Sequence, residues 1–117
     1  MPKQPGQIIG SFFLRDEGDG CLTSKYHHGD SLEGPFTEAC KLTDQSTSNE
    51  RFVGTYRTVW LEDDNEHLAA ELLIERHPRN TAIFRLFWRD AANNNRNIFE
   101  GTAMLFGTLL VGTYWDF

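Results

Sequence analysis

The chain has 117 residues, 39% of them hydrophobic and 13% aromatic, with a net charge of −6 and a pI near 5.1. That length suits one domain, residues 1–117, built on one core, and the composition excludes global disorder. The acidic balance argues against nucleic-acid and anionic-membrane partners, because Lys and Arg carry most of the affinity for both.

The chain opens with Met-Pro-Lys-Gln-Pro-Gly, which lacks the apolar stretch of a secretory signal. No apolar run approaches the roughly 20 residues of a membrane-spanning helix. A cytoplasmic location is the expectation. No long stretch keeps the apolar stripe of a helix. Strand signals recur instead, at close to the spacing of about 8–12 residues expected of all-β domains. In chain order the candidates are Gln7–Leu14, Cys21–His27, Phe36–Leu42 and Arg51–Leu61, then His67–Arg76, Thr81–Arg89, Asn97–Leu105 and Thr108–Trp115. Turn-like segments separate them, among them Asp63-Asp64-Asn65, Pro78-Arg79-Asn80 and Asn93-Asn94-Asn95. The polar stretch from Thr43 to Glu50 reads as a loop, and all four prolines are expected outside strand interiors.

Folding at Asp63-Asp64-Asn65 sets Arg57 opposite Glu71 and Tyr56 opposite Leu72. Folding again at Pro78-Arg79-Asn80 sets Glu71 opposite Arg85, with Phe84 beside Leu72 and Trp88 beside Leu68. One register thus gives alternating charge on one face and an apolar stripe on the other, and a one-residue slip would destroy both. About eight antiparallel strands with short connections predict an all-β fold, an up-and-down β-barrel. The competing architecture is a two-sheet sandwich, which needs longer crossovers. A weak repeat, Phe52-Val-Gly54-Thr-Tyr56, Phe99-Glu-Gly101-Thr-Ala103 and Leu110-Val-Gly112-Thr-Tyr114, puts glycines on the inner face, where they relieve crowding.

Asp19-Gly-Cys-Leu-Thr-Ser-Lys-Tyr26, Gly54-Thr-Tyr56 and Phe84-Arg-Leu-Phe-Trp88 are spaced as in avidin-like chains. With the strand pattern over nearly the whole length, they make the chain resemble the calycin-type barrels, namely lipocalins, fatty-acid-binding proteins and the avidin group. The resemblance implies a barrel; it does not extend to biotin binding.

Carried along the chain, the register gives an inner face that includes Leu14, Leu22, Ala82, Leu105 and Leu110. The candidate ligand-binding residues on it are Ser24, Tyr26, Glu38, Tyr56, Thr58, Trp60, Phe84, Trp88 and Tyr114. A mostly apolar concavity with a few polar groups is the usual makeup of a small-molecule site, and an eight-stranded barrel either holds one small ligand or is filled by side chains. Glu38 is the interior carboxylate; at the barrel mouth it would be solvated, and that position is favoured here. Buried, it would shift its pKa and gain acid–base potential.

No metal site or cofactor is expected. His27-His28-Gly-Asp30 lies at a hairpin tip, but adjacent strand residues face opposite ways. Cys21 and Cys40 fall on opposite faces in the favoured register, so free thiols are expected. Outward-facing Val59, Leu73, Ile83 and Phe87 suggest a self-association surface, a dimer before a tetramer. Three functional readings stand. The first is a binding barrel holding an apolar or aromatic ligand. The second is a small enzyme, such as an isomerase, cyclase or hydratase, using Glu38 with Tyr26 or Tyr56 on a hydrophobic substrate. The third is a filled-core interaction module.

Overall fold

The computed structural model describes residues 9–29, 33–43, 50–61, 67–90 and 96–116. Eight antiparallel strands close in sequence order into a barrel, with the first strand paired to the last. They are β1 (Ile9–Gly18), β2 (Cys21–His28), β3 (Glu33–Leu42), β4 (Gly54–Leu61), β5 (His67–His77), β6 (Asn80–Asp90), β7 (Arg96–Phe106) and β8 (Leu109–Asp116). Closure leaves no edge strand, and it settles the choice between barrel and sandwich. Among the described residues no helix is long and apolar enough to cross a membrane.

Period-two patterning forms these strands and their faces. Along β6, Phe84, Leu86 and Trp88 are buried while the residues between them are half-buried. Phe12 and Leu14 repeat this on β1, Leu22 and Ser24 on β2, and Tyr56, Thr58 and Trp60 on β4. The β1–β2 connection shows how the turns close. Asp19 and Gly20 have φ of 55° and 76°, the two positive dihedrals of the tight turn that matches strand twist, which an Asp-Gly pair supplies at low strain.

The charge pairing holds on one side and shifts on the other. Arg57 lies opposite Glu71 and Tyr56 opposite Leu72, as expected. Glu71, however, lies opposite Arg89 rather than Arg85, and Leu72 lies opposite Trp88 rather than Phe84. The cause is an irregularity beside the Pro78-Arg79 turn. His77 pairs with Asn80, the next pair is Arg76 with Phe84, and Thr81, Ala82 and Ile83 stand out of the ladder between them. Asn80 Oδ1 holds the extra loop by accepting the Ala82 amide at 3.0 Å, and Arg76 reaches the Thr81 carbonyl. Glu71 therefore moves from position 85 to 89, an even step that keeps the face assignments of the paired residues. Arg85 pairs with Glu75 instead, at 2.6 Å.

Two further expectations change. Ala82 is exposed because it belongs to this bulge, and Leu105 because it sits at the end of β7 beside the hairpin. Pro35 lies inside β3, near its start, where the register breaks between Tyr26 and His28 and no ladder donor is needed. Of the outer residues, Val59 is exposed, whereas Leu73, Ile83 and Phe87 are half-buried, the Phe87 ring lying under Arg85 and Arg89. Larger exposed apolar side chains sit elsewhere, at Phe13, Met104 and Phe106. The turns expected at Asp63-Asp64-Asn65 and Asn93-Asn94-Asn95, residues 44–49 of the Thr43–Glu50 loop, and the side chains of Leu61 and Leu68 lie outside the described residues.

The interior is graded along the barrel axis. Leu14, Leu72, Ile74, Leu86 and Leu110, all at 0%, and Phe84 at 1% exposure fill the middle and the end closed by the β1–β2 turn. Aromatic rings gather at the other end, where β1 begins and β8 ends.

Candidate functional site

At that aromatic end lies a cavity of about 40 Å³. Phe12, Trp60, Trp88 and Phe99 form part of its wall, Tyr26, His28 and Tyr114 complete it, and Glu38 reaches it from β3. Alternation alone explains why these side chains meet. Phe12 and Tyr26 are backbone partners on β1 and β2, Glu38 and Trp60 on β3 and β4, and Trp88 and Phe99 on β6 and β7.

Tyr114 is the hub of the wall. Its ring lies 5.9–6.3 Å from those of Phe12, Tyr26, His28, Trp88 and Phe99, at interplanar angles of 54–89°. Edge-to-face and tilted contacts suit the ring quadrupoles, and they build a box rather than a parallel slot. The Tyr114 hydroxyl donates to the His27 carbonyl at 3.1 Å and lies 2.8 Å from His28 Nδ1. A phenol has one proton, so while Tyr114 donates to the carbonyl, His28 Nδ1 is the donor of the second bond. The ring reaches this position because residue 10 is glycine. A Cβ there would stand 2.4 Å from the Tyr114 ring and 2.2 Å from the His27 carbonyl oxygen.

Glu38 is buried, at 4% exposure, rather than solvated at the mouth. The reason is that β3 begins at Glu33, upstream of the expected Phe36, which carries Glu38 well down the strand. Trp88 Nε1 donates to Glu38 Oε2 at 2.9 Å, and the Thr58 hydroxyl donates to the same oxygen. The Cys40 thiol donates in turn to Thr58 Oγ1 at 3.4 Å, which completes a buried chain of polar groups. Burial raises the Glu38 pKa above the ordinary carboxylate value, and the Thr58 and Trp88 hydrogen bonds oppose the rise. Ser24, opposite Glu38 in the register and fully buried, also helps hold the charge, although its hydroxyl makes no hydrogen bond of ordinary geometry. Burial likewise pushes the Cys40 thiol up, so it stays protonated, and Cys40 and Cys21 are both free.

Of the residues singled out from the sequence, Tyr26, Glu38, Trp60, Trp88 and Tyr114 line the cavity, and Thr58 and Ser24 stand behind it around Glu38. Tyr56 and Phe84 do not join them. Tyr56 faces the opposite end, where its hydroxyl donates to the Phe52 carbonyl at 3.0 Å and burial raises its pKa to about 12. It is therefore no partner for Glu38. Phe84 belongs to the core, with the Arg76 guanidinium 4.8 Å from its ring centre. Phe12, Phe99 and His28 join the wall without having been among the candidates; β2 runs through His28, and even-numbered parity from Leu22 onward points it inward. Among the described residues no group of His, Cys, Asp or Glu is placed to hold a metal ion.

A second recess, of about 410 Å³, lies at the closed end among Asp16, Asp19, Glu50 and Arg51. It is larger, but its charged walls are exposed. The aromatic cavity has the buried polar group and the converging rings of a specific site. Compared with protein-family models, curated proteins and solved structures, the chain matches none.

Proposed function

We propose that this is a small-molecule-binding barrel of calycin-like build, which takes one end of a largely apolar ligand into the aromatic cavity. The observation that carries this reading is the buried Glu38 carboxyl set at a cavity walled by six aromatic rings. Burying an ionisable group costs several kcal/mol unless it is neutralised or bonded, and here Thr58 and Trp88 hold it by hydrogen bonds at the edge of open space. The volume limits the occupant. An apolar cavity that takes benzene measures about 150 Å³, whereas one water needs about 10–15 Å³. About 40 Å³ suits a compact polar head and its first carbons, with the remainder of the molecule directed out of the mouth. A cytosolic setting fits the two free thiols, which a reducing compartment keeps unpaired.

A second reading, a small enzyme acting on a hydrophobic substrate, draws on Glu38 and the His28–Tyr114 pair lining the same cavity. Two titratable groups at one ligand position are what proton transfer requires.

Native mass spectrometry of freshly purified protein, followed by a fragment titration read on the tryptophan indole NMR signals, tests the binding reading. Fragments are expected to shift the Trp60 and Trp88 signals, and Phe99→Trp, which fills the cavity, is expected to abolish those shifts. Shifts confined to the Asp16 and Glu50 end, or none from any fragment, would overturn it.

A further inference from the structure

Resting on that reading, we infer that the ligand head is a compact organic cation, a primary ammonium on an apolar tail, which sits between the Glu38 carboxylate and the aromatic box. Four observations converge on this class. The Thr58 and Trp88 hydrogen bonds both end on Glu38 Oε2, and Glu38 itself lines the cavity. Among the described residues that line the cavity there is no lysine or arginine to pair with Glu38. The rings that touch Tyr114 meet it at 54–89°, so tilted π-faces surround a compact ligand. The net charge of −6 adds a long-range attraction for cations.

Size selects within the class. An ammonium group is close to a water molecule in bulk, so it fits a cavity of about 40 Å³ with one or two carbons behind it. A hard metal ion is a poor occupant, because one carboxylate among hydrocarbon rings cannot supply the six or more oxygen ligands that such ions take.

The test uses n-butylammonium chloride and butan-1-ol, matched in length and differing in charge, titrated into the full chain and read on the Trp60 and Trp88 indole signals. Butylammonium is expected to bind at least about tenfold more tightly than butanol, the scale of a desolvated cation–π contact added to a carboxylate. Glu38→Gln, checked by circular dichroism for an unchanged fold, is expected to erase that preference. Butanol binding as tightly as butylammonium, or Glu38→Gln retaining the preference, overturns the inference and leaves the ligand-site reading intact. If neither compound moves the indole signals the inference fails as well, and the ligand-site reading falls with it only when the fragment titration against Phe99→Trp is also silent.

Discussion

The indole of Trp88 on β6 donates to the carboxyl of Glu38 on β3 at 2.9 Å, joining residues 50 positions apart across the barrel interior. This bond ties the principal ring of the cavity to its one buried acid, and the acid–base behaviour of the site depends on it. Trp88→Phe keeps the ring and removes the donor, so Glu38 loses a bond that favours its charged form. The Glu38 pKa is expected to rise further above the ordinary range, measured by carboxyl NMR in parent and variant.

Glu38 also sets the pH dependence of stability. In the unfolded chain it titrates near about 4.3, and folding raises that value. Between the two pKa values the folded state holds the extra proton, so stability falls as pH rises through this window and levels off above the folded pKa. Glu38→Gln is expected to remove that fall and to be at least as stable as the parent at neutral pH. Urea midpoints measured from pH 4 upward check this.

Thr58→Val replaces a fully buried hydroxyl by a methyl of similar shape and leaves Glu38 and the Cys40 thiol each short of a partner. A loss of about 1–3 kcal/mol is expected at neutral pH. It should shrink at pH values where Glu38 is protonated, which chemical denaturation of the two proteins at two pH values will show.

Core and wall positions should separate under truncation. Phe84→Ala is expected to cost about 3–5 kcal/mol, because its surroundings are closely filled. Trp60→Ala opens onto a cavity that already exists, so the loss of stability should be smaller and the loss of ligand response larger. Equal, severe destabilisation by both would favour a filled-core protein without a ligand site.

The thiols offer a further check. Cys21 is half-buried beside the Asp19 carbonyl, whereas Cys40 is buried and its thiol is held protonated. Native protein is expected to react with one equivalent of a thiol reagent, at Cys21, and to release the second only on denaturation.

Face assignments were legible because they depend on parity alone, and parity survives errors in strand length and turn geometry. That is why Ser24, Thr58 and Trp88 all point inward as expected, even though the β5–β6 register moved by an even step. Depth along the barrel is a different quantity. Whether Tyr56 shares an end with Glu38, or whether Glu38 reaches the rim, depends on where each strand starts, and β3 starts further upstream than its apolar pattern suggests. The bulge at Thr81–Ile83 left no mark in the alternation of charge, so Arg85 was assigned to Glu71 instead of Glu75. The Trp88–Glu38 bond was beyond reach for another reason. It joins strands that are not neighbours in the sheet, and cross-strand pairing rules describe neighbours only. His28 was hidden by its place next to a turn, although counting by two from Leu22 reaches it.

The most direct measurement is a carbon-13 NMR titration of the Glu38 side-chain carboxyl in the unliganded protein, with its signal identified by comparison with Glu38→Gln. A carboxyl buried at an aromatic cavity should titrate well above about 4.3, the value of an unperturbed glutamate. A midpoint at that ordinary value would place Glu38 in water at the barrel mouth, and the enclosed site would not exist.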